Sequence, residues 1–539
     1  MHSTHTPIHM AHGFLRSAKS FPNRPALFVK GTEYTYAELE KHAARLANCI
    51  KQHTKSSTPF GLVLAHRSLT ALAALLGILM SGRGYVPLHP AFPASRNRNI
   101  LSLSGADFIV VGEEAHSTLP ELLDDTPPLT VLLPDAEDAS ELAARFPSHT
   151  FLARPAIFEA SEAAPELASQ ADATAYLLFT SGSTGTPKGV PVSHANGCAF
   201  ARYIAGRYEV NEHDRISLTS DLTFDFSVQQ LFMPWERGAC VCVLPDTALM
   251  APAKFIQIQE ITIWISVPSV VQFAEKLRLL KPNAFPSIRL SMFCGEPLSA
   301  HAAQAWMVAT PSSELINLYG PTEAAVAITQ YPWNSSTSPK QCEDGIAPIG
   351  WVFETQTSLI VSPDLTPVPD GETGELLLSG SQVTKEYFNA PERTAKQYVT
   401  LPDAPGALWY RTGDLVRRGP DGCMFFKGRA DDQVQIRGYR VALQEVACTL
   451  KKVAGTDLAA ILAWPVSQGR ADAVYGFVAG NITIKESTLI AACREQLPHY
   501  MVPKAIIKLD SFPLSPNGKI DKKALTAILE EYAGNSASC

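Results

Sequence analysis

Between Leu178 and Gly189 the chain reads Leu-Phe-Thr-Ser-Gly-Ser-Thr-Gly-Thr-Pro-Lys-Gly, with five hydroxyl side chains, three glycines and one lysine in a dozen residues. Hydroxyls donate hydrogen bonds to an anion, glycine lets backbone N–H groups approach it closely, and lysine adds a compact positive charge. The combination suits a polyphosphate. It is not a Walker loop, in which Gly-Lys-Ser/Thr follows four variable residues, because Pro187 precedes Lys188 and Gly189 follows it. A flexible Ser/Gly linker fits poorly, since apolar runs at 175–179 and 190–192 bracket the loop tightly.

Three further residues have the right chemistry, and each also has a plain structural reading. Lys519 follows Pro516-Asn517-Gly518, a turn signal that would put its ammonium at a loop tip, where a solvated lysine is equally at home. Asp414 follows Thr412-Gly413, which is ordinary turn composition. Asp225, in Thr-Phe-Asp-Phe-Ser, could cap a helix.

The elements that must position these residues alternate. Strand-like runs at 108–111 and 241–244 are interspersed with helical stretches at 35–49 and 300–307, a pattern that predicts an α/β architecture. The apolar run 69–80 is too short to span a bilayer and reads as a buried helix. Residues 136–173, rich in Ala, Glu and Pro, read as a surface connection. A polar pair, Asp431-Asp432, followed by the strand-like Val434-Gln435-Ile436, suggests a domain boundary.

A length of 539 residues predicts two or three domains, and 46% hydrophobic with 18% charged residues describes a globular protein. A net charge of −7 and a pI near 6.1 give no reason to expect nucleic acid or an anionic membrane as partner. The ten cysteines form no CxxC or Cys/His cluster, which argues against a disulfide framework and a zinc site and fits the reducing cytosol. The first residues carry no basic flank with an apolar core, so no secretory signal or integral membrane segment is expected.

The loop resembles that of the adenylate-forming enzymes, which include acyl-CoA synthetases, luciferases and the adenylation domains of nonribosomal peptide synthetases. The resemblance continues in family order: Tyr36-Ala37-Glu38-Leu39; Gly84-Tyr85-Val86-Pro87-Leu88 with Pro93 and Arg96; Tyr319-Gly320-Pro321-Thr322-Glu323; Gly374-Glu375-Leu376; Tyr410-Arg411-Thr412-Gly413-Asp414. Gly428-Arg429-Ala430-Asp431, Arg437-Gly438-Tyr439-Arg440, Leu497-Pro498-His499-Tyr500-Met501 and Asn517-Gly518-Lys519 complete it. It implies a large α/β core of several subdomains over residues 1–429 and a small mobile α/β lid over 430–539, hinged at Asp431. It implies ATP and Mg²⁺ as well. Thr180, Ser181, Gly182, Ser183, Thr184 and Lys188 would hold phosphates, and Glu323 would hold the metal. Tyr319 would stack on adenine beside Asn317, Gly320 and Thr322, and Asp414 would accept the ribose hydroxyls with Arg429. Lys519 would contact the substrate carboxylate and α-phosphate, and Gly438 would line the path of a pantetheine thiol.

Amino-acid-activating members carry Asp where Asp225 stands, pairing with the substrate ammonium. Aligned on these anchors, the pocket would be Phe226, Gln229, Ser266, Met292, Cys294, Leu318, Val326 and Ala327. In an aromatic-activating member the residues matching Phe226 and Leu318 are alanines, so the larger side chains here imply a small substrate. The stretches around Cys294 and Val326 also resemble D-alanine–carrier-protein ligases, while Gln229 could bond a polar side chain such as that of serine. Glycine or D-alanine is expected, with L-alanine, serine or an acyl- or aryl-CoA ligase activity as alternatives. With no carrier or condensation signature after Lys519, the acceptor is expected to be a separate phosphopantetheinylated carrier protein. A non-catalytic relative is disfavoured because Lys188, Glu323, Asp414 and Lys519 are all present.

Overall fold

The computed structural model describes residues 8–54, 58–168, 170–181, 187–249, 251–402, 404–430, 433–436, 438–467, 470–480, 482–513 and 520–536. The chain divides into two compact units, one of Met1–Pro90, Asn97–Phe179 and Gly189–Gly428, the other of Ala91–Arg96, Thr180–Lys188 and Arg429–Cys539.

Two large sheets dominate the first unit. One has seven strands, in the order Thr150–Ala153, Thr130–Leu133, Phe108–Val111, Phe60–Leu64, Gly84–Leu88, Thr174–Thr180 and Lys188–Ser193, with the first six running parallel. The other has nine strands, and its centre is also parallel: Glu314–Tyr319, Leu290–Phe293, Ile263–Ser266, Arg215–Leu218, Cys240–Val243 and Pro25–Val29. Parallel strands covered on both faces need uninterrupted apolar runs, and Phe108–Val111 and Phe60–Leu64 are buried at every residue. A third, antiparallel sheet joins Gln356–Val361, Thr373–Gly380, Ala404–Arg418 and Tyr398–Leu401, with Met424–Arg429 pairing to the long strand.

The helices follow local signals. Tyr36–His53 starts at a capping box in which Thr35 and Glu38 satisfy each other's backbone N–H. The run expected to be a buried helix is one, Leu69–Met80, capped by Ser68 and buried from Thr70 onward. Its Gly77 lies against Tyr36–His53 so closely that a Cβ would sit 2.9 Å from the Ala43 carbonyl oxygen. Residues 136–173 are more than a connection. They hold the helices Ser140–Arg145 and Arg154–Phe158 and the edge strand Thr150–Ala153. Four residues at a sheet edge, partly exposed, leave too short an apolar run to read from sequence.

The second unit is built on Tyr439–Ala442, Gln433–Ile436, Arg470–Ala479, Ala459–Ser467 and Ile506–Leu509, with the helices Leu443–Ala454, Glu486–Arg494 and Lys522–Ser536. Among the described residues no helix is long and apolar enough to cross a membrane.

Near the start of the described chain, His9 and His194 are fully buried and stack with ring centroids 4.1 Å apart, and His194 Nδ1 accepts from the Met10 N–H at 3.0 Å. Burial lowers His9 to about 4; burial and the neighbouring His9 lower His194 to about 3. Both folded values lie below the unfolded one, so the unfolded state takes up protons first and the stability held above pH 6.5 is lost as pH falls. Between pH 7 and 5 each imidazole should cost about 2 kcal/mol of stability. Denaturant unfolding at the two pH values should show this loss, and His9→Gln should lose roughly half as much. An equal loss in the variant would contradict the assignment.

Candidate active site

The loop predicted to hold phosphate begins where the strand Thr174–Thr180 ends. Thr180 Oγ1 is buried with no hydrogen-bond partner among the described residues. Ser181 Oγ donates to the Arg440 carbonyl at 2.5 Å and accepts from the Ala442 N–H at 3.1 Å, which ties the loop's start to the strand Tyr439–Ala442 within the second unit. Gly182, Ser183 and Thr184 lie outside the described residues. Lys188 resumes the chain as the first residue of Lys188–Ser193 and is buried. A buried ammonium and an orphaned buried hydroxyl beside a glycine-rich loop fit an oxyanion of ATP, and the hydroxyl also fits a hard cation accompanying it.

In the first unit, two buried carboxylates stand near Tyr319. Asp414 is 7% exposed, and the Tyr319 hydroxyl donates to its Oδ2 at 2.5 Å. Asp414 does not occupy a terminal turn. It sits within the strand Ala404–Arg418, where the pairing with Thr373–Gly380 jumps from Glu375↔Leu415 to Leu377↔Arg411 and leaves Thr412–Asp414 as a bulge. Gly413 adopts φ 71° there and donates its N–H to Glu375, which also pairs with Arg411 at 2.5 Å, while Thr412 Oγ1 accepts from the Asp414 N–H. A bulge re-aims one side chain without ending the strand.

Glu323 lies fully buried in the 3₁₀ turn Thr322–Ala324, with its Oε1 accepting from the Tyr387 hydroxyl at 2.7 Å. Burial and the adjacent Glu323 push Tyr387 far above the ordinary phenol value, so it remains a donor. Nothing in the motif pattern pointed to Tyr387. A carboxylate is a hard oxygen ligand, so Glu323 is a residue that could hold a magnesium ion. Gly320 is required by packing, because a Cβ there would lie 2.6 Å from Ala327 Cα. Asn317 donates its side-chain N–H to the Pro348 carbonyl at 2.8 Å. Arg429 ends the strand Met424–Arg429.

Asp225 precedes the helix Phe226–Trp235, is 5% exposed and makes no side-chain cap bond to the helix. Its carboxylate acts with burial, the larger effect, to push the Cys294 thiol up to about 12. Phe226, Met292, Cys294, Leu318, Val326 and Ala327 join one buried apolar cluster, and Gln229 Nε2 points at Met292 Sδ, 2.9 Å away. Ser266 does not join them. Its register partner is Phe293, whereas Met292 pairs with Ile265 and Ile316, so Ser266 faces the opposite side of the sheet. There Ser266 Oγ accepts from Trp264 Nε1 at 3.0 Å and donates to the Val267 carbonyl. Ile265 takes the place facing Met292; a one-residue offset in alignment moves a strand residue to the other face. Val326 has φ 80° and Ala325 has φ 52°, and for a β-branched residue the left-handed region is strained.

In the second unit Gly438 lies between the paired residues Ile436 and Tyr439 with φ 85°, so the hairpin itself demands glycine there. Tyr439 stacks on Tyr500 at 3.8 Å, and Arg96 pairs with the buried Glu445 at 2.9 Å, a partner the sequence pattern gave no reason to single out. Lys519 and Asp431 lie outside the described residues.

Residues 14–388 match the AMP-binding enzyme family, and the chain belongs to it. Its fold is that of the adenylation domains. Vibrio cholerae adenylation domain AlmE, solved with glycyl-adenosine-5'-phosphate, superposes with a TM-score of 0.88 at 32% identity, over 98% of this chain and 99% of that one. Surfactin synthase subunit 2 of Bacillus subtilis is 33% identical over 96% of the chain, and phosphinothricin tripeptide synthetase PhsC of Streptomyces viridochromogenes is 32% identical over 98%. The chain spans 14% and 46% of their respective lengths.

Removing the hydroxyl that holds Asp414 tests whether these two residues form a nucleotide site. A hydrogen bond to a charged group contributes about 1.5–3 kcal/mol, so Tyr319→Phe should weaken AMP binding about tenfold or more in calorimetry while leaving the ring in place. Unchanged affinity would remove Asp414 from the nucleotide site.

Proposed function

We propose that the chain condenses a small amino acid, glycine or D-alanine, with ATP to form an aminoacyl adenylate and passes the aminoacyl group to the phosphopantetheine thiol of a separate carrier protein. The observation that supports this reading is the buried Asp225 carboxylate, with Phe226 and Leu318, the residues expected to limit the pocket, buried in one apolar cluster. An ammonium would match that charge, and an acid without one would be disfavoured by about 2–5 kcal/mol. Similarity to AlmE, solved with a glycyl adenylate, supports glycine first.

In the first half-reaction a substrate carboxylate oxygen would attack the α-phosphorus and pyrophosphate would leave. The transition state gathers negative charge, which Lys519, Lys188 and the loop hydroxyls would stabilise, with Tyr319 and Asp414 fixing the nucleoside. Magnesium at Glu323 would neutralise phosphate charge. In the second half-reaction the thiolate would attack the acyl carbonyl and release AMP. Residues 430–539 would act as a lid that turns about Asp431, withdrawing Lys519 and bringing in the face around Gly438. The nine cysteines of the described residues are all free thiols, which supports a reducing cytosolic setting.

One observation favours a second reading. Gln229 is fully buried and its Oε1 has no hydrogen-bond partner among the described residues, so a hydroxyl-bearing substrate such as serine would satisfy it.

ATP–pyrophosphate exchange with glycine, D- and L-alanine, serine, leucine and phenylalanine separates these readings. Glycine or alanine should lead, and Leu318→Ala should raise activity with the larger acids, since each methylene forced into a closed site costs about 1–3 kcal/mol. A wild-type preference for phenylalanine would refute the volume argument. Lys519→Ala should lower exchange on the order of 10²–10³-fold while sparing thiol transfer from preformed adenylate. Near-normal exchange would remove Lys519 from the first half-reaction.

A further inference from the structure

His66, His89 and Asp221 are far apart in the chain, yet one ligand atom from each lies within 4.8 Å of the others. His66 Nδ1 stands 3.8 Å and His89 Nε2 3.6 Å from Asp221 Oδ1. We propose that these three side chains form a binding site for a divalent transition ion of the zinc class, separate from the magnesium expected at Glu323.

The supporting groups are arranged as a metal site requires. His66 Nε2 is 3.0 Å from the Asp246 carboxylate, which fixes the proton on that nitrogen and leaves the Nδ1 lone pair facing Asp221 and His89. His66 Nδ1 has no hydrogen-bond partner among the described residues. Asp246 is held in turn by Arg67, and Glu114 accepts from the His66 backbone N–H at 2.7 Å and from Ser68 at 2.8 Å. Ligand atoms around a tetrahedral ion with bonds of about 2.0–2.1 Å stand about 3.4 Å apart, so the two separations to Asp221 need close by only a few tenths of an ångström.

Two imidazoles and one carboxylate favour zinc, cobalt or nickel over magnesium or calcium. The three side chains are 25%, 13% and 17% exposed, enough for an ion to enter and for water to complete its coordination. His66 follows the strand Phe60–Leu64 and His89 follows Gly84–Leu88, both in the seven-stranded sheet, whereas Asp221 follows Arg215–Leu218 in the nine-stranded sheet. An ion here joins the carboxyl ends of two sheets, four residues before Asp225. Cysteine and histidine spacing hides the site because its ligands come from three separate crossovers.

The test is Co²⁺ titration of metal-stripped wild-type protein, read by visible absorption. One equivalent should bind at micromolar concentration, with d–d bands and without the thiolate charge-transfer band that cysteine ligation gives. Zn²⁺ should displace it and millimolar Mg²⁺ should not. Asp221→Asn and His89→Ala should each weaken binding at least tenfold, and Asp246→Asn about 10–100-fold. Zn²⁺ should also raise the thermal midpoint of wild type but not of Asp221→Asn, whose near-identical shape keeps the test valid if His89→Ala misfolds. No stoichiometric Co²⁺ uptake by wild type, a thiolate band, displacement by Mg²⁺, or wild-type affinity in Asp221→Asn would each overturn the site.

Discussion

Burying carboxylates is the constraint on which the rest of this structure turns. Asp225, Glu323 and Asp414 are each less than 8% exposed, and a carboxylate out of water is costly unless hydrogen bonds or a cation compensate. The surrounding elements differ according to how each charge is met. Glu323 receives a tyrosine whose proton burial has made permanent; Asp414 receives Tyr319 and is turned inward by a bulge. Asp225 stands at a helix start without capping it, beside a thiol its charge helps to keep protonated.

The parallel sheets make this possible. The residues after Phe60–Leu64, Gly84–Leu88, Arg215–Leu218 and Thr174–Thr180 all leave the carboxyl ends of their strands, the side on which open α/β sheets bind ligands. In the segment that follows Tyr319, Val326 holds φ 80°, a conformation costly for a β-branched residue, and Gly320 packs on Ala327 too closely for a Cβ.

What was legible in the sequence was local: the helical stretch 35–49 and the apolar run 69–80 could be read because residue type and period sufficed, and the ordered motifs carried the family. The rest depended on partners distant in sequence or on a strand's phase. Ser266 was expected among the residues around Met292, but strand alternation turns it toward Trp264 and puts Ile265 in register with Met292. The turn that Asp414's neighbours also allowed proves to be a bulge, because a bulge and a turn share the composition Thr-Gly-Asp. Tyr387, Glu445 and the His66–His89–Asp221 group matter through tertiary contacts alone, and no spacing rule reaches them.

The central claim is that Asp225 selects acids by their ammonium group. It is tested most directly by ATP–pyrophosphate exchange with glycine and with acetate, in wild type and in Asp225→Asn. The account predicts a strong wild-type preference for glycine that shrinks by on the order of 30–5000-fold in the variant, as the loss of one buried counter-charge implies. A glycine-to-acetate ratio that stays the same in both proteins, whatever happens to their absolute rates, would contradict it.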